Sequence, residues 1–141
     1  MSKKVLVLCA SPRSAGNCDI LCDEFILGAK KAGHTSEKIN LKEKNINYCI
    51  GCLACQNNGG ICAHNDEMDE ILNKMINSDA IVLATPVYFY SMSAQLKVLI
   101  DRTFSKYSLI KDKKFYLIAA AADTDISAFK GTIEGFRNFL Y

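Results

Sequence analysis

Long apolar runs are missing from this sequence. No stretch approaches the roughly 20 apolar residues that a membrane-spanning helix needs, and Val5 to Leu8, met after Met1-Ser2-Lys3-Lys4, is too short for a signal-peptide core. The chain is therefore expected in the cytoplasm. A lopsided charge is missing too: 17 basic against 15 acidic residues leave +2, with the two signs interspersed. That pattern argues against a nucleic-acid or membrane partner. Neither a Walker A lysine nor a GxGxxG element occurs, so nucleoside triphosphates and the usual dinucleotide fingerprint fit poorly. No repeat, low-complexity tract or linker divides the 141 residues, which leave room for one domain, 1–141, and no second.

Half of the residues are hydrophobic, enough for a real core. Val5 to Cys9 and Ala80 to Thr85 are unbroken apolar runs, as is Phe115 to Ala121, and such runs suit strands buried on both faces of a parallel sheet. His34 to Leu41 reads as a polar strand near a sheet edge. Between the strands, Cys18, Leu21, Cys22, Phe25 and Ala29 recur at helical spacing, and Gly33 ends that helix. Met68, Ile71, Leu72, Met75 and Ile76 mark a second helix with Asp66 as its N-cap. A third helix buries Leu96, Leu99, Ile100, Thr103 and Phe104, and a last one, from about Ser127, turns Phe129, Ile133, Phe136 and Leu140 one way. Alternating strands and helices imply an α/β fold, a doubly wound parallel sheet covered on both faces. Ligands bind such sheets beyond the carboxyl ends of the strands, which directs attention to the loops after Cys9, Thr85 and Ala121.

The first of these loops, Ser11-Pro12-Arg13-Ser14-Ala15-Gly16-Asn17-Cys18, runs into a helix N-terminus. Hydroxyls, a cation, a flexible glycine and free backbone N–H groups meet there, as a phosphate requires. In isolation Ser, Gly and Asn serve equally as turn and cap residues; their place after the first strand favours a phosphate, and a mononucleotide is the natural candidate. Tyr88, Phe89 and Tyr90 follow another strand end, where they could stack on a ring, supply a dimer contact or pack beneath the loop.

Seven cysteines, an odd number, make a disulfide framework unlikely outside a secreted protein. Cys49, Cys52, Cys55 and Cys62 fall within a cysteine-rich loop, 45–65, where glycines permit tight turns. The spacing can wrap thiolates around a compact cluster; zinc or redox-active free thiols are the other readings. Cys9, Cys18 and Cys22 sit on core faces.

Ser11-Pro12-Arg13 with Gly16-Asn17, the Cys49 to Cys55 segment with Cys62, and Thr85-Pro86-Val87-Tyr88-Phe89-Tyr90-Ser91 through Asp101-Arg102 together resemble the NAD(P)H-dependent FMN reductases and iron-sulfur flavoproteins. The resemblance implies a flavodoxin-like three-layer sandwich that holds FMN, takes hydride from NAD(P)H as cosubstrate and passes electrons to a small-molecule or protein acceptor. By it, Ser11, Arg13, Ser14, Gly16, Asn17 and Cys18 would hold the FMN phosphate. Pro86, Val87, Tyr88, Phe89, Tyr90 and Ser91 would border the flavin ring, and Ala122 and Asp123 would close its far side. Cys49, Cys52, Cys55 and Cys62 would carry a [4Fe-4S] cluster. Hydride transfer to a flavin needs no side-chain acid or base, so no catalytic residue is named. Cys18 stands where relatives usually carry a hydroxyl. The family normally continues into a fifth strand and a final helix, which this sequence is expected to lack; the open sheet edge would favour a homo-oligomer.

Overall fold

The computed structural model describes residues 1–140. Strand β1 (Lys4–Cys9) is buried from Val5 onward and leads through a short loop to helix α1 (Asn17–Lys31). Strand β2 (Thr35–Asn40) follows, then a single helical turn α2 (Ala54–Asn57) inside the cysteine-bearing stretch, then helix α3 (Met68–Ile76). Strand β3 (Ala80–Tyr88) folds back on a two-residue strand β4 (Ser91–Met92). Helix α4 (Ala94–Arg102), strand β5 (Lys114–Ala120) and helix α5 (Lys130–Phe139) come after it.

The parallel strands lie in the order β2-β1-β3-β5, so the chain moves outward from β1 in one direction and then in the other. The order reverses between β1 and β3, and a crevice opens there at the carboxyl ends. Register brings the three loops together: Cys9 pairs with Ala84, and Pro86 with Ala120.

Side-chain alternation divides each central strand between two cores. Leu6, Leu8, Ile81 and Leu83 face Met68, Ile71, Leu72 and Met75 of α3 and Leu96 and Leu99 of α4, with Phe136 and Phe139 of α5 at the margin. Val5, Val7, Cys9, Val82 and Ala84 face Cys18, Cys22, Phe25, Ile26 and Ala29 of α1. The result is the expected flavodoxin-like three-layer sandwich. Full burial of a Leu or Ile is worth roughly 1.5–3 kcal/mol, so the strand pair β1–β3, enclosed on both faces, is the anchor of the fold.

The structure departs from the sequence expectation in three places. β5 hydrogen-bonds only to β3 among the described strands, the open edge that the resemblance implied, but Tyr116 on its α1 side is partly exposed, so the apolar run is half-covered and not buried on both faces. Phe104 lies outside α4, which ends at Arg102, and is exposed. Asp66 does accept the Met68 N–H at 3.2 Å, but the residue flanking α3 is Glu67, and Asp66 has a larger task in a buried ion pair. Among the described residues no helix is long and apolar enough to cross a membrane.

Candidate functional site

The loop after β1 is shaped by its own side chains. The Ser11 hydroxyl, in a largely buried residue, accepts the Arg13 N–H at 3.2 Å. Ala15 takes a left-handed φ of 52° and donates its N–H to Asp19 at 2.8 Å. Asp19 is held in turn by Lys38 at 2.5 Å, and hydrogen bonding to that ammonium keeps its carboxyl below the usual range. Gly16 precedes α1, and a Cβ there would stand 3.2 Å from the Arg13 Cβ. No side chain caps this helix, so the N–H groups of its first turn remain available to an anion.

Across the crevice, the end of β3 is pinned by a buried relay. Ser93 donates its N–H to the Thr85 hydroxyl at 2.9 Å and its own hydroxyl to the Ala10 carbonyl at 3.3 Å, while accepting the Leu96 N–H at 3.4 Å. This fixes the start of α4 against the ends of β1 and β3. The hairpin between β3 and β4 then turns through Phe89 and Tyr90, with φ of 48° and 65°. Left-handed geometry at both central residues suits a two-residue hairpin, but glycine or asparagine normally supplies it. Two bulky residues held there store strain of order 1–3 kcal/mol each. They are not packed beneath the loop: Phe89 is 97% exposed and Tyr90 62%. Helix α5 supports the turn from behind, where a Cβ on Gly131 would overlap the Tyr90 carbonyl oxygen.

Between these walls lies a cavity of about 340 Å³. Ser11, Arg13, Gly16, Asn17 and Cys18 form one side, Pro86, Val87 and Tyr88 the other, and Ala120, Ala121 and Ala122 the third. A second cavity of about 500 Å³ shares Val87, Ala121 and Ala122 and extends under Phe89 and Tyr90 to Asp123. The fold thus brings together twelve of the residues named for the nucleotide. Ser14 and Ser91 do not line either space; Ser14 is exposed and receives the Lys42 ammonium, and Ser91 is exposed in β4. Cys18 borders the cavity while packing into the α1 core, and burial pushes its thiol up. Ala120, Ala121, Thr124 and Ala128 are additional wall residues that carry no chemical signature in sequence. Their position at or beyond the end of β5 was the only available hint.

A third cavity, of about 630 Å³, lies away from this crevice beside α4 and α5. Cys49, Cys52, Cys55 and Cys62 all border it, with Phe104, Tyr107 and Phe139 among its walls. All four thiols are free, Cys49 and Cys52 exposed and Cys55 and Cys62 less so. Positive φ at Gly51, Leu53, Gly59 and Gly60 gives the loop its tight turns. The thiols share a cavity without converging: among the described residues, no three His, Cys, Asp or Glu side chains form a ready metal cage. The surroundings nevertheless suit a sulfur-ligated group. The donor set is four soft thiols, and two buried nitrogens close by, His64 Nε2 and Arg102 Nε, have no hydrogen-bond partner.

The two ends of this loop meet at one ion pair. Arg102 donates to Asp66 through both terminal nitrogens, at 2.7 and 2.9 Å, and its Nη1 also reaches the Asn47 carbonyl at 2.6 Å. Asp66 accepts the Asn47 N–H at 2.9 Å. Both charged side chains are almost wholly buried. Despite the cost of burial, the Arg102 hydrogen bond and the backbone N–H groups hold the Asp66 carboxyl far below its ordinary value. This pair, between residues 36 apart, was not visible in the sequence.

Comparison with known proteins places these features in context. Residues 3–128 match the family model described as NADPH-dependent FMN reductase. An iron-sulfur flavoprotein of Methanocaldococcus jannaschii is 44% identical over 100 residues, which cover 71% of this chain and 51% of that protein. An iron-sulfur flavoprotein of Archaeoglobus fulgidus is 38% identical over 99 residues, covering 70% and 44% respectively. This chain therefore spans about half the length of these curated relatives. Among solved structures, an azoreductase of Bacillus anthracis superposes with a TM-score of 0.75 over 99% of this chain and 80% of its own, at 19% identity; that likeness concerns the fold alone.

Proposed function

The chain belongs to the NADPH-dependent FMN reductase family, and from that premise we propose that it binds FMN in the crevice between β1 and β3 and serves as an NAD(P)H-dependent oxidoreductase. One observation carries the reading: the uncapped first turn of α1, Arg13, the Pro86–Tyr88 wall and the small residues 120–122 enclose a single cavity at the switch point of the sheet. The helix N-terminus and Arg13 would neutralise the phosphate, the charge-assisted bond alone worth roughly 1.5–3 kcal/mol. Ser11 shapes the loop from within, and Gly16 lets it close. Tyr88 would flank the ring on one side, and Ala120 to Ala122 leave room for it to lie flat. The exposed rings of Phe89 and Tyr90 stand at the open side, where a nicotinamide would approach. Bound FMN would supply two-electron acceptance from hydride and the ability to release electrons singly.

We assign the four-cysteine cavity to a [4Fe-4S] cluster that Cys49, Cys52, Cys55 and Cys62 would hold once the loop draws in. The thiol set, the apolar walls and the two unpartnered nitrogens support this reading. The electron acceptor is then a small molecule or a redox protein. Self-association belongs to the same proposal, favoured by the exposed edge of β5 and by Phe89; a cytoplasmic setting is favoured by seven unpaired thiols.

Titration with FMN is expected to quench flavin fluorescence at one nucleotide per chain, and anaerobic NADPH to bleach the bound flavin. A folded protein that leaves saturating FMN unquenched defeats the reading. Binding without bleaching, together with reduction by a ferredoxin, would favour a second reading, an electron carrier between proteins, for which the cysteine-lined cavity speaks. Anaerobic iron and sulfide assay tests the cluster, with zinc or free thiols as the opposing results.

A further inference from the structure

Arg102 carries a donor that the fold has not used. Its two terminal nitrogens are committed to Asp66 and the Asn47 carbonyl, yet Nε, in a residue only 3% exposed, has no partner. Leaving a buried N–H unsatisfied is costly, and more so on a guanidinium, so an acceptor should belong beside it. Cys62 is the candidate acceptor. The stretch before it is pressed onto the segment that follows α4: a Cβ on Gly60 would stand 2.8 Å from the Ser105 carbonyl oxygen. Four residues after Cys62, Asp66 grips the same guanidinium. Burial opposes the Arg102 charge, but Asp66 and the adjoining Cys62 side chain together hold its pKa above the ordinary value.

We propose that Arg102 is a positioning residue for the cysteine site, braced by Asp66 so that its remaining N–H faces the Cys62 sulfur and raises the reduction potential of the cluster that sulfur ligates. This rests on the reading that the four thiols hold a cluster. Reduction adds one electron and breaks no bond; the added negative charge spreads over the sulfurs, and a fixed cationic donor stabilises it. The brace matters because a guanidinium free to swing would return to water.

The test uses the full chain, reconstituted anaerobically with iron and sulfide, and reads the midpoint potential by a dithionite titration followed by electron paramagnetic resonance. Arg102→Lys keeps the charge and can still pair with Asp66, but its single nitrogen cannot sit at Asp66 and also present a donor at the Nε position. It is expected to lower the potential so that the reduced-to-oxidised ratio at fixed potential falls about tenfold, which is 59 mV for a one-electron couple. Asp66→Asn removes the brace while keeping the guanidinium, and its potential is expected to fall in the same direction. An unchanged potential in Arg102→Lys overturns the proposal, and an unchanged potential in Asp66→Asn overturns the role of the brace. A wild-type chain that takes up no iron overturns the cluster reading and this inference with it, whereas a wild-type cluster with an indifferent Arg102 leaves that reading standing.

Discussion

The crevice beside β1 and the cavity beside α4 differ in how they are held. Around the crevice the walls are the ends of buried parallel strands and the start of a helix, tied by the Thr85–Ser93–Ala10 relay. Its shape exists before any ligand arrives. Around the cysteines the wall is a loop with one helical turn and several left-handed residues, and its thiols share a space without meeting. A phosphate needs donors that point outward from a rigid edge, which secondary structure supplies without further closure. Four metal ligands must surround a centre, and a loop does this only when the centre contributes bonding energy.

The contrast would be broken most severely at the loop's roots. Asp66→Asn removes the carboxylate from a buried pair and strands the Arg102 charge, so unfolding in denaturant is expected to show a loss of about 3–5 kcal/mol. If the two sites are as separate as their geometry implies, FMN affinity of the folded variant stays within about twofold of the parent.

The same pair gives a pH signature. Because the folded Asp66 carboxyl is held below its unfolded value, its contribution to stability is complete above the ordinary carboxylate range near pH ~3.9 and is lost as pH falls toward the lower folded value. Stability measured from pH 6 downward is therefore expected to fall more steeply in the parent than in Asp66→Asn, and parallel curves would deny the pair its role.

Arg13→Ala addresses the rigid side. It is expected to weaken FMN by roughly 10- to 100-fold, matching a lost charge-assisted bond, with little change in melting temperature because Arg13 is exposed. Smallest is Phe89→Gly, which relieves a left-handed residue at little cost in packing and should stabilise the chain by ~1 kcal/mol, while FMN binding or nicotinamide turnover declines. A variant both more stable and equally active would show that the hairpin strain serves nothing at the site.

Much of this could be read from local pattern. Val5 to Cys9 and Ala80 to Thr85 announce buried strands because every position is apolar, and Met68 to Ile76 announces its face by spacing. The phosphate loop was legible because hydroxyl, cation and glycine lie within eight residues ahead of a helix. What could not be read depends on distance in the chain. Asp66 looked like a helix cap, since its partner is 36 residues away. Ala120 and Ala121 have no chemistry to advertise and matter only for where β5 ends, whereas Ala122 was named through the family resemblance. Likewise β5 has the composition of a core strand; its residues do not show that it lies at an edge, which only the family resemblance implied. The hairpin turn was hidden because Phe89 and Tyr90 are residues that seldom adopt its backbone angles.

The meeting of Asn47 and Asp66 on one guanidinium has a further consequence. A segment whose entrance and exit are fastened at the same point behaves as a cassette: its interior can lengthen, shorten or change composition without shifting β2 before it or α3 after it. The sandwich is thereby insulated from whatever the segment carries, and a graft cut at these two residues should transplant the cysteines to another fold of this kind as a single piece.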